Sequence, residues 1–132
     1  MSEYTSTREG FQKAMQWSLT GPPEEAVKYV EATSTPSFYR IFNGTRIEYD
    51  ANVKDIAEWR GKSVKYYPNV DQFLRDGNGL AAHMTGTLKV EGTATFFESF
   101  IFAEVEDGTG KLVWMSERSV WGPQGQDPVH GT

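Results

Sequence analysis

Apolar residues along this chain follow a helical period in the first half and an alternating one in the second. Phe11, Ala14, Met15 and Leu19 recur at helical spacing. Ser6-Thr7-Arg8-Glu9 precedes them as a capping box, with Ser6 as the N-cap and Glu9 three residues on. Gly21-Pro22-Pro23 closes this helix and opens a second, in which Ala26, Val27 and Val30 form a narrow apolar face. Thr33-Ser34-Thr35-Pro36 breaks the second helix. Asn43-Gly44 between Phe38–Phe42 and Thr45–Tyr49 predicts a hairpin, because the tight turn needs residues that accept positive φ. Alternation puts Phe38, Arg40 and Phe42 on one face of its first arm and Tyr39 and Ile41 on the other. Asn52 then caps a third helix carrying Val53, Ile56, Ala57 and Trp59, and Gly61 stops it.

Strand patterns fill the rest. Val70–Leu74 predicts a short strand, turned by Asp76-Gly77-Asn78-Gly79 into the first of three long ones. The long runs are Leu80–Val90, Ala94–Val105 and Lys111–Trp121, separated by Glu91-Gly92-Thr93 and Asp107-Gly108-Thr109-Gly110. Each exceeds the usual strand of about five or six residues. Helices that come before a mostly antiparallel sheet predict an α+β fold. Strands this long must curl, and a curled sheet closed by helices encloses a hollow.

The chain of 132 residues fits one domain with a real core, and it shows neither repeat nor linker. Residues 1–122 read as the domain, and the polar stretch 123–132 as a disordered tail. The net charge of −5, with no basic stripe, argues against nucleic-acid binding. The absence of cysteine excludes disulfides, thiolate nucleophiles and Cys-ligated metals. Met1-Ser2-Glu3-Tyr4 lacks the features of a signal peptide, and no apolar run is long enough for a membrane span. A soluble, cytoplasmic protein is therefore expected. Neither a metal constellation nor a phosphate-binding Gly-rich loop is present, so no cofactor is expected.

The order of elements, the segment Phe38–Arg60 and the closing run Phe96–Trp121 resemble the NTF2-like superfamily, in particular its SnoaL-like branch. Within that run, residues 102–114 are similar to the family's ending of apolar strand, Asp-Gly turn, Lys-Leu-Val and Trp. The resemblance covers residues 6–122 and implies a cone-shaped α+β barrel, with three N-terminal helices packed on a curved, mostly antiparallel sheet. It also implies a pocket between sheet and helices, and a homodimer built through the outer face of the sheet. The superfamily holds isomerases, dehydratases, cyclases, epoxide hydrolases and non-catalytic binders, so fold alone does not select the activity. The acid pair of the ketosteroid isomerases has no counterpart here: Ser37-Phe38-Tyr39-Arg40 and Phe100-Ile101-Phe102 stand where its carboxylates would fall.

The family register implies that Ala81, His83, Thr85 and Thr87 face inward. His83 then becomes a candidate proton shuttle, the alternative being a hydrogen-bonded structural histidine or one at the subunit interface. Alternation groups Met115, Glu117 and Ser119 on one face. Glu117 is either an acid or base beside His83 or the ion-pair partner of Arg118, Arg40 or a second subunit. Phe97, Ser99 and Ile101 share a face opposite Phe96, Glu98, Phe100 and Phe102. Ser99 and Ile101 are assigned to the pocket, and Phe100 and Phe102 to a dimer interface. Tyr39 is the preferred phenol for polarising a substrate oxygen, because the family places its hairpin arm beside the cavity. Met15, Trp17 and Trp59 are candidate wall residues. The resulting expectation is a cofactor-free isomerase, cyclase or dehydratase acting on a small apolar metabolite such as a polyketide or terpenoid. Its catalytic residues would be His83, Glu117 and Tyr39, with Met15, Trp17, Trp59, Ser99, Ile101, Met115 and Ser119 binding the substrate. A non-catalytic small-molecule binder, or a dimer that binds a protein partner, is the alternative.

Overall fold

A computed structural model describes residues 2–123. Two helices open the chain, α1 (Glu3–Ser6) and α2 (Arg8–Ser18). The N-cap of α2 is Thr7 rather than Ser6, and its side chain accepts from Gly10 N at 2.9 Å. Ser6 is taken up as the last residue of α1, whose own cap is Ser2. A 3₁₀ turn, Pro23–Glu25, leads into α3 (Ala26–Thr33). The hairpin follows, with β1 (Ser34–Phe42) and β2 (Thr45–Glu48) joined by Asn43 and Gly44 at φ 48° and 88°. Next comes α4 (Tyr49–Arg60), then β3 (Val64–Asp76), β4 (Gly79–Val90), β5 (Thr93–Val105) and β6 (Leu112–Pro123). The tail expected over 123–132 lies outside the described residues, apart from Pro123, which ends β6.

Strand β1 starts at Ser34, four residues before the expected Phe38, and two further boundaries differ from the sequence reading for physical reasons. The short strand expected at Val70–Leu74 is a 13-residue strand that begins at Val64 and runs through Pro68. Proline supplies no ladder N–H, but β3 is an edge strand, where that loss is tolerated. Helix α4 begins at Tyr49, so Asn52 is not its cap; it is a buried residue of the first turn, 4% exposed.

The six strands form one curved sheet in the order β2-β1-β6-β5-β4-β3, parallel at β1–β6 and antiparallel elsewhere. The two ends of the sheet do not pair, so it is an open α+β cone, with helices covering its concave side. Alternation along the strands sends Leu80, Ala82 and Met84 inward with Phe97, Ile101, Val105 and Met115, against Phe11, Ala14 and Met15 of α2. A smaller cluster, Ala26, Tyr29, Val30 and Ile56, joins α3 to α4. The side chain of Arg60, at the end of α4, clamps the turn after α2. It donates to the carbonyls of Trp17 at 2.7 Å, Ser18 at 3.1 Å and Pro22 at 3.2 Å. Among the described residues no helix is long and apolar enough to cross a membrane.

Candidate functional site

The concave side does not fill completely. A cavity of about 380 Å³ remains between the sheet and helices α2, α3 and α4. Its walls are mostly apolar, with Phe38 and Phe42 from β1, Met84 and Leu88 from β4, Phe97 from β5 and Met115 from β6. Met15 and Trp59 contribute from the helices, and Trp121, 49% exposed, also lines it. Another hollow, of about 640 Å³ and more open, lies against Leu74, Phe102 and Trp114.

One polar cluster crosses the apolar wall. Arg40 shares a face of β1 with Phe38 and Phe42, and Glu117 lies inward on the adjoining strand, β6. Arg40 Nη2 donates to Glu117 Oε1 at 3.1 Å. Ser119 Oγ donates to Glu117 Oε2 at 3.1 Å and lies 2.6 Å from Ser99 Oγ. The serine pair is a consequence of register, because Ser99 and Ser119 are directly opposed in the β5–β6 ladder. The four side chains form a continuous chain from cation to carboxylate to two hydroxyls. Asn43 pins its far end by accepting from Ser119 N at 2.8 Å.

Two phenols stand in the same cavity wall. Burial pushes the Tyr29 hydroxyl up to about 12, with the Arg40 charge pulling in the opposite direction. Burial also raises Tyr66, and the charge of Glu117 adds to that rise. Both are therefore hydrogen-bond donors at neutral pH. The hydroxyl of Tyr66 rests on the Met84 thioether at 3.9 Å, a weak partner that a ligand oxygen could replace.

The structure gathers only part of the expected site. Met15, Trp59, Ser99, Met115, Glu117 and Ser119 line the cavity. Ile101 faces inward but is 1% exposed and packed in the core rather than on the cavity wall. Trp17 packs edge-on against Tyr29 at 5.3 Å and does not reach the cavity.

His83 and Tyr39 require correction, since both point to the outer face. The family register put His83 inward, but the apolar set of β4 is Leu80, Ala82 and Met84, and burying that set turns His83 out. There its ring contacts Phe100, and it bridges Asp71 and Glu98 at 2.6 and 2.7 Å. Tyr39 alternates with the inward pair Phe38 and Arg40, and its ring lies under the Arg46 guanidinium at 3.7 Å. Tyr29 and Tyr66 are the phenols that the cavity presents instead.

Sequence reasoning missed Asn52, which it took for a cap, and it named Arg40 only as a possible ion partner. Arg40 did carry a signal, a cation alternating between two phenylalanines on one strand face. Among the described residues no group of three His, Asp or Glu side chains could hold a metal ion.

No protein-family model and no curated protein matches the sequence. Solved structures do match its shape. An LEH-like epoxide hydrolase from M. tuberculosis superposes with a TM-score of 0.63 at 18% identity, over 89% of this chain and 82% of that one. A de novo designed NTF2 fold protein gives 0.57 at 19% identity over 85% of each chain. A candidate SnoaL-like polyketide cyclase from Jannaschia sp. CCS1 gives 0.60 at 14% identity, over 79% and 76%. The chain thus has the NTF2-like fold, and enzymes of several reaction classes are among its structural neighbours.

Proposed function

We propose that the interior cavity is the active site of a cofactor-free enzyme, of the isomerase, cyclase or dehydratase kind, acting on a small and largely apolar metabolite. The observation that carries this reading is the Arg40–Glu117–Ser119–Ser99 chain set in a mostly apolar wall. Glu117 is the group that takes or returns a proton. Arg40 and Ser119 hold one carboxylate oxygen each and so fix its direction. The phenol of Tyr66 donates to the substrate oxygen on which charge develops. Apolar walls exclude water and strengthen each of these interactions. His83 and Tyr39 take no part in this chemistry, because they stand on the other face of the sheet.

The test follows proton movement rather than a presumed product. Ketones of polyketide and terpenoid type are incubated with the protein in D₂O, and deuterium entry beside the carbonyl is followed by NMR. The wild type is expected to accelerate exchange of at least one of them. Glu117→Gln should lose on the order of 10²–10⁴ of that rate, the usual contribution of a positioned acid or base.

One observation favours a second reading, a binding protein without chemistry. Both oxygens of Glu117 already accept hydrogen bonds, which leaves it fewer free lone pairs for a substrate proton. Tight binding of a ketone with no exchange above background would decide for this reading.

The outer sheet face supports a homodimer in either case. Phe100 is 48%, Phe102 63% and Leu74 69% exposed there, an apolar surface that a second copy would cover.

A further inference from the structure

Asn52 carries information that its expected role as a cap concealed. It is 96% buried, being 4% exposed, and it lies in the cavity wall contributed by α4. Its Oδ1 has no hydrogen-bond partner among the described residues. Arg40, in the wall contributed by β1, leaves its Nε without a partner in the same way, although its Nη2 is engaged by Glu117. Buried polar atoms are nearly always paired, so each such orphan calls for an explanation. Here one wall of the cavity lacks a donor and the other lacks an acceptor. A guest that brings both would complete them.

Charge narrows the choice of guest. Among the described residues Arg40 is the only cation in the wall; it is already paired with Glu117, and Asp55 adds a second carboxylate to the lining. An anionic guest would meet negative charge with no free cation to answer it. Size narrows it further. The cavity of about 380 Å³ would hold about a dozen heavy atoms, taking a water's share of liquid volume, about 30 Å³, as the unit.

We propose that the cavity takes a neutral, predominantly apolar molecule that carries a hydroxyl group, and that this hydroxyl donates to Asn52 Oδ1. The proposal rests on the same reading of the cavity as a ligand site, but it does not require Glu117 to perform chemistry. An acceptor oxygen elsewhere on the guest answers Arg40. The preference is for an alcohol over the matching hydrocarbon, and for either over the matching carboxylate.

The test uses a matched bicyclic set, decalin, decalone, decalol and decalin carboxylate, titrated calorimetrically into the full chain. Wild type is expected to bind decalol about tenfold more tightly than decalin, the worth of one good buried hydrogen bond. The carboxylate should bind most weakly. Asn52→Leu should bring decalol to within about threefold of decalin, with decalin itself little changed. Asn52→Ala, which needs no extra room, serves the same comparison should leucine not fit. A preference for decalol that survives both substitutions overturns the proposal. So does tightest binding of the carboxylate, or a failure of all four compounds to bind. Glu117→Gln separates the two readings. If the enzymatic reading fails, neither wild type nor Glu117→Gln turns anything over, while the Asn52-dependent preference stands. If this inference fails, the preference is absent whatever the turnover.

Discussion

The Arg40 guanidinium meets the Glu117 carboxylate at 3.1 Å across the parallel β1–β6 pair, with the two side chains only 21% and 10% exposed. Removing one partner leaves the other as an uncompensated charge away from water. Arg40→Met is therefore expected to cost about 2–4 kcal/mol of stability. Adding Glu117→Leu to it should recover part of that loss, because the pair is then replaced by apolar side chains of similar volume. Urea unfolding of both single variants and the double variant checks this through the coupling term. Strictly additive losses would mean that the two groups do not interact in solution.

His83 makes stability depend on pH. Its two ring nitrogens meet Asp71 at 2.6 Å and Glu98 at 2.7 Å. A neutral imidazole has one N–H, so only the imidazolium can donate to both. Burial pulls its pKa down, but the bonds to Glu98 and Asp71 outweigh that and hold it above the ordinary 6.5. A group raised in the folded state contributes stability that is fully present below its unfolded value. That contribution is lost as pH rises through the folded one. Urea midpoints measured from about pH 5.5 to about pH 9 should therefore fall further in the wild type than in His83→Gln. Parallel curves for the two proteins would show that the bridge does not persist in solution.

Arg60 holds the turn after α2 through three main-chain carbonyls, and it is 7% exposed. Arg60→Leu leaves those acceptors unpaired and is expected to cost about 2–3 kcal/mol. Arg60→Lys should recover little of it, since a single ammonium lacks the planar fork that reaches three oxygens. Guanidinium unfolding of the three proteins measures the difference. Full rescue by lysine would make the interaction one of charge alone.

Gly86 is needed for its missing side chain. A Cβ there would lie 2.2 Å from Tyr67 O and 2.9 Å from the Phe97 ring. Phe97 is itself a cavity wall, stacked on Tyr66 at 5.5 Å. Gly86→Ala should destabilise by about 3 kcal/mol or more and displace that ring. A thermal unfolding midpoint equal to wild type would show that the sheet relaxes there at no cost.

The exposed phenylalanines predict an oligomeric state. Phe102→Glu should leave the fold intact and shift a homodimer to monomer in sedimentation, since Phe102 is 63% exposed on the outer face. An unchanged mass would move the interface elsewhere or abolish it.

The turns and the three long closing strands were legible because they depend on local chemistry. Asn43-Gly44 and the Asp-Gly turns can adopt few other conformations, and the strands they join ended within two residues of expectation. What failed depended on neighbours distant in sequence. Which face of β4 turns inward was taken from family analogy, although Leu80, Ala82 and Met84 already marked the apolar face; one slip in a two-residue period moved His83 from cavity to surface. The first half of β3 was hidden by Pro68, which reads as a strand breaker until β3 is known to be an edge. Asn52 has the side chain of a cap and only tertiary structure reveals it as a buried wall residue. Alternation tied Glu117 to the face of Met115 without saying which way that face turns, and the structure turns both inward.

The parallel pairing of β1 with β6 sets an order of events on the ribosome. Arg40 and Glu117 are separated by 77 positions, and β6 is the neighbour of β1 on the side away from β2. The hairpin β1–β2 and the meander β3–β4–β5 are local and can close early. Until β6 emerges, one edge of β1 has no sheet partner and its arginine has no counter-charge. The Arg40–Glu117 pair is thus assembled last. A chain stalled before β6 would carry most of the architecture and an aggregation-prone edge, but neither Glu117 nor Ser119.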